Sequence, residues 1–225
     1  MQAPDLPLNE EERISTLHSL NILDTARHDR FDRFTRMSTR IFDMPIAIIS
    51  LVDRYRQWFK STAGFDAEET PRDISFCGHA ILGDGIFEIR NTRRDERFRD
   101  NPLVLEQPHL RVYAGAPLEA PDGHKLGTLC LIDRVPRRLS EEEKTMLKNL
   151  ADMVVGEMIN YVDTETGLDT RNALLDAGGK CFEQEAADRQ FSLLLFDLTE
   201  VVVSQNDADL EVPPGQIFAQ QLAHH

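Results

Sequence analysis

At 225 residues the chain has room for one large domain or two smaller ones, and a 41% hydrophobic share is enough for a buried core. A formal net charge of −14 sets its surface against phosphate backbones and anionic lipid, which argues against nucleic-acid and membrane-surface binding. No apolar run reaches the length of a membrane span, and residues 1–12 (MQAPDLPLNEEE) contain no signal-peptide core. The three cysteines, Cys77, Cys130 and Cys181, form neither a disulfide framework nor a C-x-x-C motif, so a reducing cytoplasm is the expected compartment.

Asn9 is positioned to cap a first helix, with Glu12 as the reciprocal partner three residues on. Ile14, Leu17, Leu20 and Leu23 follow at roughly helical spacing. The spacing predicts a second helix over 28–42, ended by Pro45, with Phe31, Phe34, Met37, Ser38 and Ile41 on one face. The continuous apolar run 46–52 reads as a central strand, and 57–62 pairs with it across a turn at 53–56. A short helix is expected over 73–82, a third strand over 86–90, and a loop with room for one helical stretch over 95–106. Residues 111–133 (RVYAGAPLEAPDGHKLGTLCLID) read as two strands joined by a turn at Pro121-Asp122-Gly123. Gly115 and Gly127 lie inside those strands, where a glycine marks a close approach. Helices at both ends with an antiparallel sheet between them give an α+β pattern.

Ser140 and Glu143 form a second capping box, opening a helix that runs to about 162. Its apolar residues Leu147, Ala151, Val154, Met158 and Tyr161 alternate spacings of four and three, the seam of two supercoiling helices. The competing reading packs the same face on the chain's own sheet. A compromise is expected, the first half on the sheet and the second half paired with a second copy.

Three constellations are site candidates. Cys77 and His79 offer a thiol and an imidazole, but on a helix positions i and i+2 point in different directions, which makes them poor joint metal ligands. Trp58 and Phe59 face opposite ways on a strand, so one of them points into a core or pocket, and plain core packing is the alternative. Arg111 and Tyr113 share a strand face, where a guanidinium and a phenol can hold an anionic or polar ligand. A salt bridge from Arg111 to Asp53, Asp73 or Asp133 is the alternative there. The mixed-charge stretch 93–100 (RRDERFRD) reads as solvated surface.

Three blocks occur in order: 53–64 (DRYRQWFKSTAG), 69–80 (ETPRDISFCGHA) and the hairpin 111–133. Together they resemble the GAF family, small-molecule sensor domains of bacterial signalling proteins, in the subgroup that precedes cyclase-type or kinase outputs. The resemblance covers roughly 9–160. It implies a GAF-like antiparallel sheet flanked by helices, a sensor domain over 1–160, and a long signalling helix leaving it. It also implies a pocket between the sheet and the segments 77–82 and 93–106, the latter acting as a lid. Trp58, Cys77, His79, Arg111 and Tyr113 are then the pocket candidates, for a small-molecule ligand that the resemblance does not name. Some GAF proteins reduce free methionine sulfoxide with pocket cysteines, and others attach a bilin to a cysteine followed by histidine. The cysteines here do not match the first arrangement, and Gly78 interrupts the second. A redox enzyme of the first kind and a ligand-free interaction module remain the alternatives.

Residues 163–174 (DTETGLDTRNAL) resemble the opening motif of GGDEF domains, the diguanylate cyclases, D-x-L-T-G-L-x-N-R-R-x-F. Asp163, Thr166, Gly167, Leu168 and Arg171 match; Glu165, Thr170 and Asn172 depart. The stretch 191–197 (FSLLLFD) is similar to that fold's first strand, with Asp197 where the family holds magnesium. Beyond it the pattern fails at Thr199, Val202, Gln205 and Asn206, and the sequence stops before the G-G-[DE]-E-F hairpin. Phosphoryl transfer needs metal ions held by more than one carboxylate and cationic side chains on the phosphates. A vestigial Asp197 alone does not meet that need, so no cyclase activity, catalytic residue or bound metal is expected. Residues 161–225 then form a partial α/β GGDEF-like remnant. The partners expected are a second copy of the chain through the helix 141–162 and a signalling protein.

Overall fold

Ile46–Val52, the central strand β1, is buried along its whole length, as its unbroken apolar run requires. It pairs antiparallel with β2 (Arg56–Ala63) on one side and β6 (Lys125–Asp133) on the other. The strands β3 (Glu69–Pro71), β4 (Phe87–Ile89) and β5 (Val112–Glu119) complete a six-stranded antiparallel sheet in the order β3-β2-β1-β6-β5-β4. This computed structural model describes residues 1–159. The GGDEF-like reading of 161–225, Asp197 included, and the seam residue Tyr161 lie outside the described residues. Among those described, no helix is long and apolar enough to cross a membrane.

One face of the sheet carries α2 (Asp29–Ile41) and α5 (Glu141 through Ile159). The other carries the short α3 (Phe76–Ala80) and the segment that includes α4 (Pro102–Leu105). In α2 the buried face is Phe31, Phe34, Thr35 and Ser38; Met37 and Ile41 are exposed, contrary to the predicted stripe. At 100° per residue Met37 falls well off the face that Phe31 and Ser38 define. The α5 seam residues Leu147, Ala151, Val154 and Met158 are buried, and Leu150 and Val155 are buried with them. The stripe is therefore wider than a coiled-coil seam, and the helix packs on β5, β6 and α2. The Ser140–Glu143 capping box forms as read, with each backbone N–H bound by the other residue's side chain.

The Asn9 capping box does not form. The Asn9 side chain makes no cap hydrogen bond to α1 (Glu10–Ser19). A buried ion cluster anchors that end instead. Arg13 holds Glu10 through two 2.8 Å hydrogen bonds, and Arg72 bonds the same carboxylate from beyond β3. Helix α3 is shorter than the predicted 73–82. Ser75 has extended backbone and its hydroxyl accepts from the Gly78 N–H at 2.9 Å, so the helix starts after it, behind a 3-10 turn at Arg72–Ile74.

The strand β2 carries a bulge at Lys60, which has no partner where Ile49 faces Ser61 and Ser50 faces Phe59. Lys60 is fully buried on the α2 face, its ammonium donating to Thr25 Oγ1 at 2.6 Å and the Ala26 carbonyl at 2.9 Å.

Candidate functional site

Between the sheet and α3 lies an apolar layer built from Ile46, Ile48, Val52, Phe59, Phe76, Ala80, Phe98, Val104 and Leu110, among others. Polar groups gather at its centre. Ser50 and Thr128 are opposed across β1 and β6, and Cys130 stands two residues along β6 on the same face. Cys77 comes down from α3 to place its sulfur 4.0 Å from that of Cys130. The Tyr113 hydroxyl donates to Cys77 Sγ at 3.4 Å and lies 3.4 Å from Thr128 Oγ1. All five residues are buried.

Electrostatics at this patch separate the two thiols. Burial works against charge on Cys77, but its sulfur contact with Cys130 and the hydroxyls around it bring its pKa down. The same sulfur contact, together with burial, pushes Cys130 well up. Tyr113 is also pushed up, by burial first and then by the adjacent sulfurs.

Of the predicted pocket residues, the structure brings Cys77 and Tyr113 together and separates the other three. Trp58 is on the opposite face of the sheet, its ring 5.9 Å from the Lys60 ammonium; its neighbour Phe59 is the aromatic that faces α3. His79 points away from Cys77, as the i, i+2 spacing requires. It is half-buried, with its ring edge on Phe98 at 4.8 Å and Nε2 donating to the Gln2 carbonyl at 3.1 Å. Burial and the nearby Arg97 lower its pKa. Arg111 turns its guanidinium onto the backbone carbonyls of Val104 and Leu110 at 2.8 and 3.0 Å, so it ties down α4 rather than meeting a carboxylate or joining Tyr113. Sequence reasoning passed over Ser50 and Thr128. Their signal was a hydroxyl residue inside the apolar stretch of each of two strands.

The segment 93–100 does more than coat the surface. Phe98 is buried and stacks on Phe76 with centroids 4.1 Å apart. Arg97 covers it, its guanidinium 5.1 Å from the Phe87 ring and 5.2 Å from the Phe98 ring, and pairs with Asp95. The N-terminal residues then run over α3 as a strap. The Gln2 N–H donates to the Arg97 carbonyl at 2.9 Å, and Pro4 lies against Gly78, where an added Cβ would stand 2.7 Å from Pro4 Cγ. A groove of about 350 Å³ adjoins the strap, with Leu6, Leu8, Arg13, Ile81, Leu82 and Lys125 among its lining. Among the described residues no group of three or more His, Cys, Asp or Glu side chains is placed to hold a metal ion.

A sheet with α3 and a buried polar patch on one face and paired helices on the other defines a layered α+β domain. The sequence model of the GAF domain family matches residues 26–158, and the chain belongs to that family. It is 42% identical over 177 residues to a cyclic di-GMP phosphodiesterase of Pseudomonas aeruginosa, a match covering 76% of this chain. The chain spans 30% of that relative's length. Among solved structures, it is similar to a type II free methionine-R-sulfoxide reductase from Thermoplasma acidophilum. The identity there is 11% and the TM-score 0.49, over 58% of this chain and 90% of the other. It is also similar to the GAF domain of a phosphoenolpyruvate-protein phosphotransferase from Acinetobacter. There the identity is 17% and the TM-score 0.48, over 75% of this chain and 98% of the other.

Proposed function

We propose that this chain is the sensor part of a cyclic di-GMP-type signalling system, acting in the cytoplasm and lacking cyclase activity of its own. The observation that carries the reading is the polar patch of Ser50, Cys77, Tyr113, Thr128 and Cys130 inside an apolar layer. Apolar walls with a few convergent polar groups are what a small-molecule site offers. The relative in cyclic di-GMP turnover supports the pathway.

In this reading a small polar ligand reaches the patch when α3 and the Phe98 segment lift. It favours the state in which they sit differently on the sheet. Helix α5 packs on β5 and β6 and so reads changes at the patch through the sheet. Its outward face, with Met146 and Met153 exposed, carries the signal to a second copy of the chain. The GGDEF-like remnant supplies no metal site and no turnover.

A second reading rests on the packing itself. Phe76, Phe98 and Tyr113 fill the layer with ring contacts, as expected of an interaction module whose interior needs no ligand.

Native mass spectrometry of the untreated purified chain separates the two. A dimer carrying extra mass that leaves on denaturation supports the sensor reading and gives the ligand's mass. A bare monomer moves the conclusion to the interaction module. Incubation with GTP and magnesium is expected to yield no cyclic di-GMP, and product formation would overturn the inactive assignment.

A further inference from the structure

We propose that Cys77 and Cys130 are a redox-active pair that closes to an intramolecular disulfide when the protein meets a hydroperoxide. Both thiols are free and their sulfurs are 4.0 Å apart. A disulfide needs about 2.0 Å, so the sulfurs must approach by roughly 2 Å. Their settings allow that approach from one side. Cys130 is fixed in β6, paired with Ile48 of the central strand. Cys77 is on a five-residue helix held by its Ser75 cap, the Phe76–Phe98 stack and the Pro4 strap. A helix that short opens locally at far lower cost than the sheet.

The geometry also assigns the order of events. Cys77 is the sulfur that comes away with α3, so it meets the oxidant first. The Tyr113 hydroxyl donates to that sulfur, which favours its thiolate. The Cys77 sulfur attacks one peroxide oxygen, and the O–O bond breaks to give a sulfenic acid; the thiol proton goes to the leaving alkoxide, which departs as an alcohol. When α3 settles back, the Cys130 sulfur attacks the sulfenic sulfur, the S–S bond forms, and hydroxide leaves with the Cys130 proton as water. The two thiols lose two electrons and two hydrogens, and the peroxide is reduced by two electrons. The product ties α3 to β6 by a covalent bond across the buried patch. Closing the bond needs no ligand in the patch, although it uses two of the patch residues.

The test uses the full chain with Cys181→Ser, reduced, kept under native conditions and exposed to hydrogen peroxide. It is then alkylated after unfolding and digested without reductant. The expected product is one cross-linked peptide pair, Cys77 to Cys130 within a single chain, lighter by two hydrogens and released by dithiothreitol. In Cys130→Ala the resolving thiol is absent, so Cys77 sulfenic acid is expected to be trapped by a dione reagent that finds none in the parent. Should that variant fail to fold, the peptide map of the parent still decides. Full alkylation of both cysteines after peroxide, cross-links between chains, or sulfinic acid at Cys77 without a cross-link would each overturn the proposal.

Discussion

Tyr113 lies over Gly115, two residues further along the same strand, and occupies the space where a side chain would stand. A Cβ at position 115 would come within 2.3 Å of the Tyr113 hydroxyl oxygen and 2.8 Å of its ring carbon Cζ. The phenol reaches Cys77 and Thr128 because that space is empty. Gly115→Ala is expected to displace the ring and to destabilise the protein by roughly 1–3 kcal/mol, the usual range for overpacking. Urea unfolding reads this directly. In a Tyr113→Leu background the same substitution is expected to cost much less; equal costs in the two backgrounds would deny the contact.

Glu10 links stability to pH. Burial alone would raise its carboxyl, but hydrogen bonds from Arg13 and Arg72 outweigh it and hold the pKa at about 2, below the ordinary 4.5. The folded protein therefore binds this proton less readily than the unfolded chain. The stabilisation is fully present above about pH 4.5 and is lost as pH falls towards 2. Glu10→Gln leaves two buried guanidinium groups without their carboxylate and is expected to cost about 3 kcal/mol at neutral pH. The gap between parent and variant should narrow between pH 4.5 and 2. A constant gap would remove Glu10 as the titrating group.

The N-terminal strap depends on the missing side chain at Gly78. Gly78→Ala places a methyl group against Pro4 and is expected to lift residues 1–4 from α3 while changing global stability by less than about 1 kcal/mol. Hydrogen exchange at the Gln2 amide, which donates to the Arg97 carbonyl, should accelerate at least about tenfold. Unchanged exchange would mean that the strap is held elsewhere.

Helix α5 offers a test of folding against the proposed association. Leu147 is fully buried on the sheet side, so Leu147→Ala is expected to cost about 3 kcal/mol in unfolding free energy. Met146 and Met153 face outward, and replacing both with Glu is expected to change protomer stability by only about 0.5 kcal/mol while dissociating the proposed dimer. Light scattering alongside urea unfolding checks both. A double variant that remains dimeric would assign the interface to another surface.

The strands were legible where a residue's neighbours in sequence are also its neighbours in space. The run 46–52 declares a buried strand, and Pro121-Asp122-Gly123 declares the hairpin turn. Pocket membership was less legible because it depends on strand phase. The bulge at Lys60 and the pairing of Ser50 with Phe59 place Phe59, not Trp58, beneath α3. In α5 the spacing of Leu147, Ala151, Val154 and Met158 fits both a heptad seam and packing on the sheet, and the burial of Leu150 and Val155 is what widens the stripe to the sheet-packed form. The thiol pair was beyond sequence reasoning altogether, since β6 and α3 bring Cys77 and Cys130 together only through the complete sheet. Strand position put the Arg111 guanidinium beside Tyr113 for a ligand, or on a carboxylate in the alternative, whereas it binds the carbonyls of Val104 and Leu110.

The sheet order gives two halves, β3-β2-β1 and β6-β5-β4, whose strands pair with each other only where β1 meets β6. Each half contains a hairpin of strands consecutive in sequence, which closes short loops at small entropic cost. The joint pairs Ile46 with Ile132 and Leu51 with Gly127, residues far apart along the chain. At its tight end a Cβ on residue 127 would stand 1.9 Å from the Ser50 carbonyl oxygen. Folding is therefore expected to be limited by the meeting of these two halves, a pairing of high contact order. A methyl group at 127 would obstruct that meeting. Gly127→Ala is thus expected to slow folding as well as to destabilise the folded state.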